Sequence, residues 1–229
     1  EELKRLNISV VRPDINTCFA DFTSNGKDFL YALGAIKNVG YEAISNVVKE
    51  REENGNFNNI SDFINRVNPK NINKLQLEGL VKAGAFDKIN NNRQSLFNSI
   101  PNVILKSKNN FENKLDNQIN LFDEDSKPND DFLEKIEDWN VDEKLSKEFE
   151  TLGFFISDHP LNQYKTIFKQ YNIINYDQFE NDKSLLSSNI ACTVLKVQEK
   201  KTQKGSSYAI VKLSDLSAVF ELFIFSDIF

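Results

Sequence analysis

LGAIKNVGYEAI, residues 33–44, places apolar residues on both sides of a short turn that contains Asn38 and Gly40. Glycine adopts positive φ freely, and asparagine is among the few other residues that tolerate it. The pattern is typical of a helix-hairpin-helix turn: an apolar residue, two further residues, a second apolar residue, a glycine and then a new helix. The pattern therefore predicts positive φ at Asn38 and Gly40.

The chemistry of such a turn suits a phosphate group. The backbone N–H groups at the start of the second helix point outward, and the helix dipole favours an anion there. Lys37 adds a positive charge. The turn predicts contact with the DNA backbone, without reading of bases, through Lys37, Asn38, Val39, Gly40 and Tyr41. The alternative is an ordinary helical hairpin, and Asn38 stands where such turns usually have glycine.

A second turn of this kind follows in VNPKNINKLQLEGLVKAGAF, residues 67–86. Lys70, Asn73 and Lys74 lie at its opening, and we predict that they also contact DNA. The second pattern is weak by itself. Its value lies in its position after the first, because paired hairpins can grip both strands of a duplex.

The hydrophobic period divides the chain into a helical part and a β part. Residues 30–97 have a helical period, and a polar stretch from 106 to 131 indicates a linker. Helices are predicted again in DFLEKIEDW (131–139), DEKLSKEFETLGFF (142–155) and HPLNQYKTIFKQY (159–171). From Ile190 the period becomes two, which predicts three strands. Asn25-Gly26 predicts an earlier hairpin.

The predicted strands carry basic residues and one tyrosine. Lysines surround a β-hairpin that contains Tyr208: Lys196, Lys200, Lys201, Lys204 and Lys212. Backbone attraction and base stacking by such residues suit single-stranded DNA, so Lys200, Lys201, Lys204 and Tyr208 are candidate contacts. A solvated lysine hairpin is the alternative. An OB barrel needs about five strands, and only three are predicted.

Composition excludes several classes of function. The net charge of −6 argues against a nucleic-acid field over the whole surface. Cys18 and Cys192 lack the spacing of a disulfide framework or a zinc site, and no apolar run is long enough for a membrane span, so we expect a cytoplasmic protein with no metal. The sequence has no methionine, and we expect it to be a segment of a longer protein.

Carboxylates are plentiful but are not arranged for catalysis. No strand-borne Asp-x-Asp pair that could hold two metal ions occurs, so no catalytic residue is predicted. The acidic run from Asp116 to Asp158 indicates a solvated face. His159 precedes Pro160 and is expected to have a structural role, and Trp139 is expected to anchor the packing of the acidic helices.

Several motifs in one order give the chain a specific resemblance. YALGAIKNVG, NINKLQLEGLVKAGAFD, QINLF and LGFFISDHPLNQY, with RPDIN before them, resemble the alpha subunit of bacterial DNA polymerase III, the replicative polymerase. The resemblance implies a mainly α fold with a tandem helix-hairpin-helix domain followed by a partial OB-type β domain. It implies five regions: the end of the fingers with a hairpin (1–30), the tandem helix-hairpin-helix (31–105), a linker (106–131), an acidic helical segment (132–185) and the start of an OB domain (186–229).

The resemblance also gives a role to a Leu-Phe pair in a polar loop. Gln118, Leu121 and Phe122 resemble the family's internal sliding-clamp motif. Leu121 and Phe122 would enter an apolar pocket on the clamp, and the Gln118 amide would fix the orientation by hydrogen bonds. The alternative is that Leu121 and Phe122 pack back onto this chain.

The implied partners are therefore duplex primer–template DNA, the sliding clamp, single-stranded template and other replicase subunits. No cofactor is expected in this chain, whereas the parent polymerase would use magnesium on residues outside it. Two other interpretations stay open at this point. One is a helix-hairpin-helix accessory domain of a repair protein or nuclease, and the other is a structural scaffold without DNA contact.

Overall fold

The computed structural model describes residues 6–115, 129–203 and 205–228. The chain divides into two compact units, Glu2–Ser157 and Asp158–Phe229. The described part contains seven α-helices and six strands. None of its helices has the length and apolar character needed to cross a membrane.

The first unit begins with a small three-stranded sheet. The strands are β1 (Ser9–Val11), β2 (Thr23–Ser24) and β3 (Asp28–Leu30). β3 lies in the middle, parallel to β1 and antiparallel to β2. The β2–β3 turn contains Gly26 at a φ of 92°, and the Asn25 side chain accepts hydrogen bonds from the Lys27 and Asp28 amides. A hairpin at Asn25-Gly26 is therefore present, as the sequence predicts.

A short 3-10 helix, Leu33–Ala35, and five α-helices follow. The helices are α1 (Tyr41–Asn54), α2 (Ile60–Arg66), α3 (Lys74–Lys82), α4 (Arg93–Leu115) and α5 (Val141–Leu152). Their shared core includes an edge-to-face series of Phe57, Phe63 and Phe86, in which successive ring centroids are 5.1 Å apart. Val39 and Leu80 are completely buried in the same core, so the first hairpin turn is fixed to the centre of the unit.

The structure differs from the sequence prediction in two places. α4 continues to Leu115, so the first ten residues of the predicted linker are helical. Its later turns stay attached to α2, because the Ser107 hydroxyl donates a hydrogen bond to the Ile64 carbonyl. Residues 131–139, which were predicted to be helical, contain only turns and irregular backbone.

Tertiary hydrogen bonds explain why residues 131–139 are not a helix. Asn92 donates to the Ile136 carbonyl at 2.7 Å, and the Glu134 amide donates to the Ser99 hydroxyl at 2.8 Å. These bonds, to Asn92 just before α4 and to Ser99 within it, use backbone groups that would pair with one another in a helix. Trp139 is buried and packs against Phe97 of α4 with ring centroids 5.3 Å apart, so its ring partner lies outside the acidic helices that it was expected to anchor.

The second unit combines short helices with an antiparallel sheet. Its helices are a 3-10 helix (Pro160–Tyr164), α6 (Lys165–Gln170) and α7 (Tyr176–Asn181), and its strands are β4 (Thr193–Lys201), β5 (Ser207–Ser214) and β6 (Val219–Ile224). The strand order is β4-β5-β6. The three predicted strands are thus confirmed, in a sheet consistent with part of an OB-type domain.

His159 has a structural position in this unit. Its Nδ1 accepts a hydrogen bond from the Leu161 amide at the start of the 3-10 helix. Its Nε2 lies 3.0 Å from the Ser214 hydroxyl at the end of β5. The side chain thus connects a helix start to the sheet, as expected from the sequence.

Candidate nucleic-acid interface

The first hairpin turn has the backbone conformation that the sequence predicts. Asn38 has a φ of 68° and Gly40 a φ of 79°. Gly40 is the N-cap of α1, and no side chain caps this helix. Lys37, Asn38, Gly40 and Tyr41 are exposed to solvent. The start of α1 is therefore an open helix N-terminus with a lysine beside it, which suits an anion.

Two of the five amides predicted to point outward do not do so. The Lys37 amide donates to the Thr151 carbonyl at 3.1 Å, and the Val39 amide donates to the Ile36 carbonyl at 3.0 Å. The Val39 side chain is completely buried, because the turn is fixed to the core through it. The turn therefore offers a ligand the Lys37 side chain and its three remaining amides.

The remaining amides are available. Within residues 6–115, 129–203 and 205–228, the amides of Asn38, Gly40 and Tyr41 have no hydrogen-bond acceptor. These donors lie within four residues of one another, at a helix end that carries a partial positive charge. The arrangement can bind a phosphate oxygen without contacting a base.

The second hairpin turn is closed by its own side chains. Asn73 is the N-cap of α3, and its side chain accepts a hydrogen bond from the Gln76 amide at 3.0 Å. The Gln76 side chain in return accepts from the Asn73 amide at 2.6 Å. Lys70 and Lys74 are exposed, and the Lys74 ammonium lies 3.7 Å from the Glu78 carboxylate. The predicted residues are at the turn, where the amides of Asn71 and Asn73 already have partners.

Two residues that the sequence analysis missed hold the two turns together. The Gln76 side-chain amide donates to the Val39 carbonyl at 2.8 Å, so it connects the second turn to the first. Gly79 faces the same place: a Cβ added there would lie 2.8 Å from the Lys37 carbonyl oxygen. A glycine inside a predicted helix is the signal that could have indicated this close approach.

The C-terminal end of α5 also contacts the first turn. Thr151 provides the acceptor for the Lys37 amide, and Glu150 lies 2.9 Å from the Lys82 ammonium. The hydrogen bond from Lys82 is the main cause that lowers the pKa of the Glu150 carboxyl, with weaker attraction from Lys147 and Lys37. The Glu150 carboxylate is therefore paired with the last residue of α3, and Lys37 of the turn is among the lysines that attract it.

Glu148 departs from the prediction of a solvated acidic face. It is 1% exposed and lies 3.1 Å from the guanidinium of Arg93, which is also buried. The Ser157 hydroxyl donates to the other carboxylate oxygen at 2.8 Å. Arg93 pairs with Asp87 as well, at 2.6 Å. This buried network ties α5 to the start of α4, and so fixes the helix that supports the first turn.

The sheet of the second unit places some predicted residues together and separates others. Lys200 is directly opposite Tyr208, on one face. Lys201 is opposite Ser207 and therefore on the other face, because successive strand residues point to opposite sides. Lys204 lies outside the described residues.

The face with Tyr208 has a row of aromatic rings that the sequence analysis did not include. Phe225 stacks on Tyr208 with centroids 6.1 Å apart, and Phe223 stacks on Phe225 at 6.5 Å. Phe223 and Phe225 are 55% and 60% exposed. Lys196 and Lys212 pair on this same face, so it combines positive charge with exposed aromatic rings.

Comparison with known proteins places these features in a family. A family model described as a helix-hairpin-helix motif matches residues 7–96. DNA polymerase III subunit alpha of Caulobacter vibrioides is 32% identical over 224 residues, which are 97% of this chain and 20% of that protein. The same subunit of Campylobacter jejuni is 32% identical over 98% of this chain and 19% of its own length. The same subunit of Rickettsia bellii is 37% identical over 200 residues, which are 86% of this chain and 17% of that protein.

The chain belongs to the DNA polymerase III alpha-subunit family. It spans about a fifth of the length of the curated relatives it matches. The prediction of a helix-hairpin-helix domain followed by a β region is confirmed by the family model together with the fold.

Two expectations drawn from the alpha-subunit family are not tested by this geometry. Gln118, Leu121 and Phe122 lie outside the described residues. In the part of the chain that the structure describes, no group of three or more His, Cys, Asp or Glu side chains could hold a metal ion.

Proposed function

We propose that this chain is a DNA-binding region of a bacterial replicative polymerase, which holds duplex primer–template DNA during replication. The observation that carries the proposal is the first hairpin turn. Its uncapped helix N-terminus, with Asn38 and Gly40 at positive φ, has unpaired amides next to the exposed Lys37. Such a turn binds the phosphate backbone, so it holds duplexes of any sequence.

The rigidity of the turn supports this role. Val39 is buried, and the Lys37 and Val39 amides are fixed by carbonyls of the core. The remaining amides are therefore positioned before DNA arrives, and little conformational entropy is lost when a phosphate binds. The second turn adds Lys70 and Lys74, whose positive charge acts at longer range.

Fluorescence anisotropy with a labelled 20-base-pair duplex tests the proposal. We expect binding that weakens as salt rises, because phosphate contacts release counterions, with a slope of about −0.9 per contact on a double logarithmic plot. Two unrelated duplex sequences should bind equally well. No binding at low salt would leave the structural scaffold as the better interpretation.

We further propose that the segment with Gln118, Leu121 and Phe122 tethers the polymerase to the sliding clamp. The family membership and the Gln-x-x-Leu-Phe form of residues 118–122 support this. Calorimetric titration of the cognate clamp into this chain, beside a variant with all three residues changed to Ala, tests it. Binding by the natural chain alone is expected, and equal heats for both chains would contradict the tether.

Single-stranded template is the third proposed ligand, at the sheet face with Lys200 and Tyr208. The aromatic row of Tyr208, Phe225 and Phe223 supports it, since exposed rings beside lysines allow bases to stack. Tyr208→Ala and Phe223→Ala should each weaken binding of an oligothymidine by a factor of about five or more, from the usual stacking contribution.

The parent polymerase would carry out magnesium-dependent nucleotide addition on residues outside this chain, in contact with other replicase subunits in the cytoplasm. We expect this chain alone to incorporate no nucleotides. A repair or nuclease accessory domain is the remaining alternative, and it predicts nicking of supercoiled plasmid in magnesium. Nicking by the pure chain would favour that alternative.

A further inference from the structure

We propose that single-stranded DNA lies on the sheet of the second unit in one orientation, with its phosphate backbone over β4 and its bases over β6. The inference rests on the proposed binding of single-stranded template at this sheet, and it adds the way in which the strand is held. The observation that carries it is the separation of charged and aromatic side chains across the three strands.

The register of the sheet determines which side chains share the face that carries Tyr208, which we call the Tyr208 face. Residues directly opposite one another in antiparallel strands point to the same side of the sheet, and so does every second residue along a strand. Phe225 belongs to this face because its ring stacks on Tyr208. The facing sets across β4, β5 and β6 are Lys200, Tyr208 and Phe225; Gln198, Ile210 and Phe223; and Lys196, Lys212 and Glu221.

The β4 side of the Tyr208 face carries positive charge. β4 contributes Lys196, Gln198 and Lys200 to this face, and both lysines are exposed. Glu199 and Lys201 alternate with them and point to the other face. β4 therefore brings two positive charges and no negative charge to the Tyr208 face, which suits the phosphate backbone.

The β6 side of the Tyr208 face carries aromatic rings and a negative charge. Phe223 and Phe225 are largely exposed, and exposed rings provide surfaces on which bases stack. Glu221 is exposed as well, and its carboxylate repels a phosphate group. The β6 side therefore accepts bases and disfavours the backbone.

β5 lies between the two sides and fits the same division. The Tyr208 ring stacks on Phe225, so it extends the aromatic surface towards β4. Lys212 is directly opposite Lys196 on β4 and Glu221 on β6. The sign of the charge therefore changes between β5 and β6.

A single strand matches this face in one orientation only, because a nucleotide carries its charge and its ring on opposite sides. With the phosphates along β4, the lysines meet the backbone and the bases reach the rings of β6. In the reverse orientation, Glu221 would meet phosphates and the lysines would meet bases. Lys196 and Lys200 are about 13 Å apart along the strand, from the usual rise per residue, so each can pair with a different phosphate.

The test measures anisotropy of two labelled strands of about twelve nucleotides, within the range of OB-fold site sizes. One is an oligothymidine, and the other has the same backbone but no bases. Lys196→Ala and Lys200→Ala should weaken binding of both strands, each with a salt slope shallower by about 0.7 for one lost contact to a single strand. Phe223→Ala and Phe225→Ala should weaken binding of the oligothymidine about fivefold or more and leave binding of the abasic strand unchanged.

Lys201→Ala is the matched control for Lys200→Ala. It removes the same charge from the adjacent residue, which points to the other face of the sheet. Its salt slope should therefore stay close to that of the natural chain. Thermal melting checks that each variant is folded.

The outcomes separate the orientation from the binding site on which it rests. If the natural chain binds no oligothymidine, or Tyr208→Ala binds it as well as the natural chain does, the proposed site fails and the orientation with it. If Tyr208→Ala weakens binding, the site stands, and three results would each overturn the orientation. They are no binding of the abasic strand at low salt, equal weakening of both strands by the phenylalanine variants, and equal effects of Lys201→Ala and Lys200→Ala.

Discussion

The two hairpin turns have similar sequence patterns but differ in how the following helix begins. At the first turn, Gly40 provides no capping side chain, and amides of the turn stay unpaired. At the second, Asn73 and Gln76 cap each other reciprocally. A capping box stabilises a helix by using the same donors that a phosphate would need. The comparison indicates that stability and anion binding compete for the amides at a helix start, and it favours the first turn as the proposed phosphate site.

The largest expected effect comes from Gly40→Ala. Gly40 has a φ of 79° and a ψ of 147°, a conformation that costs other residues about 1–3 kcal/mol. The turn should rearrange, and duplex affinity in the anisotropy assay should fall on the order of tenfold.

The control for this prediction is Gly55→Ala at the other end of α1. Gly55 has a φ of 82°, and at both glycines a Cβ would meet no atom within 4 Å. Both variants should lose similar stability, but only Gly40→Ala should lose DNA affinity. Equal losses of affinity would mean that the effect comes from general destabilisation of α1.

Gly79→Ala tests whether the two turns must touch. The added methyl group would lie 2.8 Å from the Lys37 carbonyl and 3.1 Å from a Val39 methyl group. Overpacking costs about 1–3 kcal/mol, and the higher helix propensity of alanine recovers up to about 1 kcal/mol. We expect a net loss of about 1–2 kcal/mol in the free energy of unfolding, measured by urea denaturation. A gain in stability would show that the turns can separate at no cost.

Asn73→Ala removes the cap of the second turn. Loss of an N-cap typically costs about 1 kcal/mol, and Asn140→Ala, at the N-cap of α5, should cost a similar amount. Because the capped amides are not the proposed phosphate donors, duplex affinity should not fall in either variant. A much larger loss of affinity for Asn73→Ala would contradict the comparison and make the second turn a phosphate site as well.

The smallest effects concern single lysines. Lys37→Ala should make the salt slope of duplex binding shallower by about 1, as expected for one lost phosphate contact. Lys74→Ala should change it less, because Glu78 lies 3.7 Å from the Lys74 ammonium. Salt titrations of both variants measure the difference, and a reversed order would place the main phosphate contact at the second turn.

The features that could be predicted from sequence were local ones. Positive φ at Asn38 and Gly40 follows from the few residues that tolerate it, and the three strands follow from a period of two. The missed features depend on distant partners. Residues 131–139 have helical spacing of apolar side chains. The backbone is nevertheless held in an irregular form by hydrogen bonds with the side chains of Asn92, which donates to Ile136, and Ser99, which accepts from Glu134.

The same limit explains the errors at the candidate site. The acceptor of the Lys37 amide is Thr151, and the partner of Glu148 is Arg93, 55 residues away. Neither pairing leaves a signature in the local sequence. On the sheet, the strands were predicted but their register was not, and only the register separates Lys201 from Lys200 and Tyr208.

Gln76 gives the two turns a thermodynamic link. Its carbonyl end closes the second turn, and its amide end is bound to the backbone of the first, at Val39. A change in either turn therefore affects a side chain that is also bound to the other turn. Free energies of substitutions in the two turns should not add, since residues that share a partner are coupled. Phosphate binding at the first turn should in turn protect the start of α3 from local unfolding, so hydrogen exchange there would report a phosphate that is bound at the other turn.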